Sequence, residues 1–229
     1  MSVLHDPKLE SLLATLHARS DEQLAALRTY DAERASETKP PADEAARLKA
    51  FRSDKLVALD RDKAEFCYQL CRAGNARRIV EIGTSYGVST LYLAAAVRDN
   101  VRASGGDGVV IGTEYEPAKA KAARAHFAEA GLARFIDLRE GDLRETLKTL
   151  EGPIDFVLSD IWTDMVLPGL LLIWPHLRIG SVICADNTAG PRARAGYADF
   201  FAFIANPANG LRTMTLPFDG GFEMTVKVG

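Results

Sequence analysis

From residue 77 to the end, short β-branched runs alternate with helix-compatible runs, and this alternation constrains the fold more than any other feature. RRIVEIG leads into GVSTLYLAAAV, GVVIGTE into PAKAKAARAHFAEA, and ARFIDLRE into DLRETLKTL. IDFVLSD then leads into a helical stretch over about residues 167–176, and GSVICAD into YADFFAFIA. Five strand–helix units in series predict a doubly wound α/β fold, because parallel neighbours need a crossover and a helix supplies it. LRTMTLP and FEMTVKV close the chain through Asp219-Gly220-Gly221, a hairpin signal. One of these two strands must therefore run antiparallel in a mainly parallel, seven-stranded sheet.

The first 59 residues read differently. Leu9, Leu12, Leu13 and Leu16 lie on one helical face, and Leu24 and Leu27 mark a second helix. Lys39-Pro40-Pro41 breaks the pattern, a further helix is expected from about Ala42 to about Leu59, and another from about Lys63 to Arg72. This divides the chain into an N-terminal helical extension, 1–59, and an α/β domain, 60–229. A net charge of −3 gives nucleic acid no general electrostatic reason to bind. No apolar run approaches the roughly 20 residues of a membrane span. MSVLHDPKLESLL lacks the apolar core of a signal peptide, so a cytoplasmic location is expected. Cys67, Cys71 and Cys184 form no CxxC pair and read as buried thiols.

In open sheets of this kind ligands bind beyond the carboxyl ends of the strands. The first strand runs into Glu81-Ile82-Gly83-Thr84-Ser85-Tyr86-Gly87, a GxxxG turn distinct from both GxGxxG and the P-loop. Glu114 follows the second strand, where a carboxylate can accept from ribose hydroxyls. Asp142 follows the third and suits either an adenine contact or a helix N-cap. Glu81 reads equally as a buried acid satisfied by backbone amides. Together these acids and glycines point to an adenosine-bearing ligand. The fourth strand ends in LSDIWTDM, where Asp160 is a candidate catalytic group, metal ligand or cap.

VEIGTSYGVSTLYLA, VIGTEYEPAKAKAAR, REGDLRETL, IDFVLSD and VICADN, in this order, resemble the S-adenosylmethionine-dependent O-methyltransferases, nearest to the catechol and caffeoyl-CoA enzymes and their bacterial homologues. The resemblance covers about residues 60–229 and implies a Rossmann-like methyltransferase fold. It implies cofactor contacts from Glu81, Gly83, Thr84, Ser85, Tyr86, Gly87 and Ser89, from Glu114 with Tyr115, from Asp142 with Leu143, and from Asp160. It also implies a divalent metal, usually magnesium, on Asp160, Asp186 and Asn187, an all-oxygen set suited to a hard cation. Such a metal lowers the pKa of a coordinated hydroxyl and orients it for in-line attack on the methyl group.

One position departs from the family. The Lys three residues after the first Asp, which helps deprotonate the hydroxyl in relatives, is Thr163 here. Lys55 and Lys63 precede the first strand and neither is assigned as its substitute. Arg192 or Arg194 could meet an acidic substrate group or could simply be solvated. Trp162 is a candidate wall for an aromatic substrate, while Trp174 reads as core, and His126 and His176 as isolated helix residues. The expectation is a homodimeric enzyme methylating a hydroxyl of a small catechol-like or polyhydroxylated molecule with metal assistance. Metal-independent small-molecule methylation and non-catalytic cofactor binding are the alternatives.

Overall fold

The computed structural model describes residues 3–36 and 43–229. Seven strands form one sheet: β1 (Arg78–Ile82), β2 (Val109–Glu114), β3 (Ile136–Glu140), β4 (Ile154–Ser159), β5 (Leu177–Asp186), β6 (Leu211–Leu216) and β7 (Phe222–Lys227). Their order is β3-β2-β1-β4-β5-β7-β6. The first five are parallel, whereas β7 runs antiparallel to both β5 and β6. The expected hairpin is present, and its second strand, β7, is the one inserted against β5. Ile79, Val80, Glu81 and Ile82 are all buried, as a central parallel strand covered on both faces requires.

The helices are α1 (Pro7–Asp21), α2 (Leu24–Ser36), α3 (Glu44–Arg52), α4 (Arg61–Ala73), α5 (Val88–Ser104), α6 (Pro117–Glu129), α7 (Leu143–Thr146), α8 (Thr163–Ile173), α9 (Pro191–Gly196) and α10 (Ala198–Ala205). On one side of the sheet, Leu9, Leu13 and Leu16 of α1 join Cys67 and Cys71 of α4 and Leu91 and Tyr92 of α5 in a single apolar cluster. On the other, Val80, Ile82 and Val157 meet Val166 and Leu170 of α8 and Phe200 of α10. Asp6 caps α1 by accepting from the Leu9 N–H at 3.2 Å, and Arg98 of α5 holds its other oxygen at 2.6 Å. The 15-residue α1 is therefore built into the core through its leucine stripe.

Several local expectations are corrected. The Lys39-Pro40-Pro41 break lies outside the described residues. The helix expected to reach Leu59 ends at Arg52, and residues 53–60 form an extended strap. The backbone N–H groups of Leu56 and Ala58 find the side chains of Gln23, in the turn between α1 and α2, and of Ser20 in α1, both at 3.0 Å. Those bonds replace helical ones and let Leu56 and Leu59 bury together. DLRETLKTL yields only the four-residue α7. The helix after β4 begins at Thr163, earlier than expected, and carries Pro168 inside it. β5 starts at Leu177 and bulges against β4 between Ile154 and Phe156, with the Ser181 hydroxyl donating to Ile154 O at 2.6 Å. Among the described residues no helix is long and apolar enough to cross a membrane.

Candidate active site

The strand order reverses direction between β1 and β4: from β1 the chain winds outward to β2 and β3, then returns to lay down β4 and β5 on the other side. The carboxyl ends of β1 and β4 therefore flank the crevice where ligands bind in open α/β sheets. Gly83, just past β1, has φ +98°, and a Cβ there would lie 2.1 Å from the Asp160 carbonyl oxygen just past β4. The Asp160 N–H donates to Ile82 O at 3.0 Å, clasping the two strand ends together. Gly87 (φ +82°) opens α5, and a Cβ there would strike the Phe127 ring at 2.4 Å. Between them, Thr84 N–H donates to Thr113 O at 2.9 Å and Gly87 N–H to Thr84 O at 2.8 Å. His126 Nδ1 lies 2.9 Å from Tyr86 O, and the Tyr86 hydroxyl donates to Asp54 O at 2.9 Å.

The acids divide by their partners. Glu81 is fully buried beneath the loop and accepts from the Thr84 hydroxyl at 2.9 Å and from the Thr90 hydroxyl, while its Oε1 has no partner. Hydroxyls, not backbone amides, satisfy it, and burial pushes its carboxyl up. Glu114 accepts from the Ser85 and Glu116 N–H groups, each at 2.7 Å, and so ties the ends of β1 and β2 together. Tyr115 beside it is 70% exposed. Asp142 caps α7 through the Arg144 N–H at 2.9 Å, and the Arg144 guanidinium grips both carboxylate oxygens. That pairing holds the Asp142 carboxyl down at about 2. Ser89 and Leu143 are both buried.

At the β4 and β5 ends the centre of charge is a lysine. Lys63 of α4 is 1% exposed, and its ammonium donates to Asp186 Oδ1 at 2.7 Å and pairs with Asp60 Oδ2 at 2.8 Å. The other Asp186 oxygen accepts from Asn187 Nδ2 at 2.7 Å. The Asn187 Oδ1 turns instead toward Gly220, 2.8 Å from where a Cβ would stand. Burial opposes the charge on Lys63, but its bonds to Asp186 and Asp60 outweigh that and raise its pKa. Burial and the neighbouring Asp186 and Glu81 carboxylates push Asp160 well above the usual carboxylate range.

Comparison with known proteins matches this geometry to a family. The profile of a methyltransferase-domain family matches residues 80–188, from β1 to just past β5. The crystal structure of an O-methyltransferase from Streptomyces achromogenes involved in tomaymycin synthesis, in complex with SAM, superposes with a TM-score of 0.68 at 23% identity, covering 89% of this chain and 96% of that one. An O-methyltransferase from Bacillus cereus in complex with SAH gives 0.66 at 23% identity, covering 88% and 97%. The chain has the fold of these methyltransferases. Among curated proteins, the catechol O-methyltransferase of Mycobacterium tuberculosis is 34% identical over 132 residues, 57% of this chain and 57% of that protein. The chain thus spans little more than half the length of that curated relative.

In this chain the magnesium site expected on Asp160, Asp186 and Asn187 is not formed as a set of free oxygens. Asp186 has committed one oxygen to Lys63 and the other to the Asn187 amide N–H. A carboxylate oxygen demands a donor, so the amide group of Asn187 must face Asp186 and its carbonyl must face away. Among the described residues no group of three or more His, Cys, Asp or Glu is arranged to hold a metal ion. The residues as placed do not fit a divalent cation.

The loop, the strap and Asp160 enclose one cavity, lined by Leu56–Leu59, Gly83, Thr84, Ser85, Tyr86, Val88, Ser89 and Asp160, with a free volume of only about 10 Å³. That is room for about one water. Trp162, next to Asp160, carries Lys49 Nζ at 5.8 Å and the Arg52 guanidinium at 6.0 Å over its ring. Thr163 does not take up the position of a base: it is exposed and sits against Gly196. Arg194 lies over the Phe201 ring at 5.4 Å, while the side chain of Arg192 lies outside what the structure describes. Trp174 packs edge-on to Phe203 at 5.3 Å, and all three cysteines are free and buried. Sequence reasoning named Lys63 without assigning it a role, did not single out Asp60, and read His126 as an isolated helix residue. The local trace of the first two is the Asp-x-x-Lys spacing at the start of α4.

Proposed function

We propose that this protein binds S-adenosylmethionine beyond the β1 and β4 ends and transfers its methyl group to a hydroxyl of a small molecule without a metal. The observation that carries the reading is the Gly83–Gly87 loop closing against Asp160 in one shared cavity at the reversal point of a methyltransferase sheet. The bound cofactor supplies an electrophilic methyl on a sulfonium. The Gly83 and Ser85 turn, with Ser89, is suited to the methionine part, Glu114 to the ribose and Asp142 with Leu143 to the adenine. Each Glu114 oxygen retains a lone pair beyond its backbone bond for a ribose hydroxyl. Glu81 braces the loop from beneath through Thr84 and Thr90.

Asp160 is the one carboxylate among the described residues lining that cavity. In the proposed reaction it accepts the proton of the attacking hydroxyl, the part Thr163 is unable to play. Trp162 gives an aromatic substrate a face to stack on. A cytoplasmic location, with no nucleic acid or membrane as partner, and a homodimer belong to the same reading. The experiment is transfer of labelled methyl from S-adenosylmethionine to a panel of phenols, catechols and polyols, with and without EDTA. Turnover unchanged by EDTA and reduced about 100-fold or more in Asp160→Asn is expected. Abolition by EDTA would return the metal-assisted reading, and cofactor binding without any turnover would favour a non-catalytic binder.

A further inference from the structure

A second cavity lies away from the strand ends, in a groove between α1 and α6. Lys8, Leu12, Leu16 and Arg19 of α1 line one wall, and His126 and Glu129 of α6 the other. Its free volume is about 430 Å³, the size of a small-molecule site. Lys8 and Arg19 share one face of α1 eleven residues apart, or about 16 Å at the helical rise. Neither pairs with an acid among the described residues. Between them Leu12 is half-buried and Leu16 buried, and the Thr15 hydroxyl is spent on Ser11 O at 3.0 Å. The groove therefore has a cation at each end and an apolar floor in the middle. Glu129 opposes any occupant charged along its whole length.

The α6 wall also touches the glycine loop. His126 Nδ1 lies 2.9 Å from Tyr86 O, and because a carbonyl only accepts, Nδ1 carries the proton and donates. Phe127, the next residue, lies so close to Gly87 that a Cβ there would meet its ring at 2.4 Å. The last two residues of the loop thus rest on the helix that forms one wall of the groove. We infer that this groove binds an elongated dianion with an apolar middle, of the dicarboxylate class, and that its occupant steadies the cofactor loop through His126. The ammonium and the guanidinium each suit a carboxylate, and the leucines suit the chain between two of them. An occupant bridging α1 and α6 fixes the surface on which Tyr86 and Gly87 rest, so the loop is ordered before the cofactor arrives. This second half rests on the functional reading above.

The test is a calorimetric titration of the full chain with octanedioate, with octanoate and malonate as comparisons. Wild type should bind octanedioate saturably and about fivefold or more tighter than either comparison. Lys8→Gln and Arg19→Gln should each weaken that binding about threefold or more, and Glu129→Gln should strengthen it by removing an opposing charge. Saturating octanedioate should tighten S-adenosylhomocysteine binding about threefold or more, with the reciprocal effect that linkage requires. His126→Ala should lose this mutual effect. The inference is overturned if wild type shows no saturable binding of octanedioate, or if Lys8→Gln and Arg19→Gln leave the binding unchanged. It is equally overturned if octanedioate leaves S-adenosylhomocysteine affinity unchanged or weakens it, or if the effect survives in His126→Ala. A wild type that binds octanedioate but no S-adenosylhomocysteine counts against the functional reading alone. Amide exchange at Tyr86 and Gly87 then decides the loop's part: slowing by octanedioate supports it, and unchanged exchange overturns it.

Discussion

Gly83 shows how one residue sets the site. With φ +98° and a backbone oxygen 2.1 Å from any Cβ, it bears both a conformational and a steric demand. Gly131 (φ +68°) has nothing within 4 Å of its Cβ position and bears the first demand alone. Gly131→Ala should cost about 1 kcal/mol in denaturant melts, and Gly83→Ala about 2–3 kcal/mol with loss of S-adenosylhomocysteine affinity. Equal costs would show that β1 and β4 part easily at their ends. His17 gives a prediction in pH. Burial, with Arg61 acting in the same sense, holds its imidazole below the usual value, and its Nε2 lies 3.2 Å from the Tyr92 hydroxyl. The unfolded chain therefore binds the proton more readily, so stability is full above about 6.5 and is lost as pH falls through the lower folded value. Melting temperature should drop on acidification through that window, and His17→Gln should flatten the drop. At this scale Gly83, Glu114 and Asp160 could be placed from sequence because each directly follows or ends a recognisable strand, and Glu81 because it lies one residue before the end of β1. Lys63 was not, because nothing near it in sequence reveals Asp186.

The strap over residues 53–60 is the element most directly tied to ligand entry. It covers the loop and Asp160 with about 10 Å³ to spare, far less than a nucleoside-sized ligand needs. For the proposed cofactor to occupy this cavity the strap would have to shift, and amide exchange at Leu56–Leu59 should then change on addition of S-adenosylhomocysteine more than exchange in β1. Unchanged exchange there would mean that the cofactor enters by another side. The strap's two anchors, Gln23 to Leu56 N–H and Ser20 to Ala58 N–H, should each be worth about 1 kcal/mol. Ser20→Ala should therefore raise exchange at residues 56–59 before it lowers global stability appreciably. The strap was misread as helix because Leu48, Phe51 and Leu59 keep a helix-compatible rhythm. What ended the helix at Arg52 was the supply of side-chain acceptors from Ser20 and Gln23, which local propensity does not reveal. The bulge in β5 is likewise a tertiary event, with the Ser181 hydroxyl donating to Ile154 O of β4.

At the level of the whole molecule, α1 belongs to the same apolar cluster as α4 and α5. Leu9, Leu13 and Leu16 are each 1% exposed, and burying a leucine contributes about 2 kcal/mol. A chain lacking residues 1–21 would thus forgo on the order of 5 kcal/mol, comparable to the total stability of many domains. It should lose its cooperative melting transition or aggregate. A shortened chain that melts as the full one does would show that α1 is dispensable to the fold. Light scattering on the full chain would test the proposed homodimer separately.

The number of strands, the parallel winding and the terminal hairpin follow from local pattern, because strand and helix periodicities are written in each segment and βα connections admit few topologies. The insertion of β7 between β5 and β6 and the capture of Lys63 by Asp186 arise only when distant segments meet. Burial then makes pairing obligatory: a lysine enclosed at the end of the sheet must find carboxylates, and one of the two it takes, Asp186, is a residue that the family resemblance had assigned to a metal. So the place of the site was encoded locally, and the cation at its centre was chosen by tertiary packing.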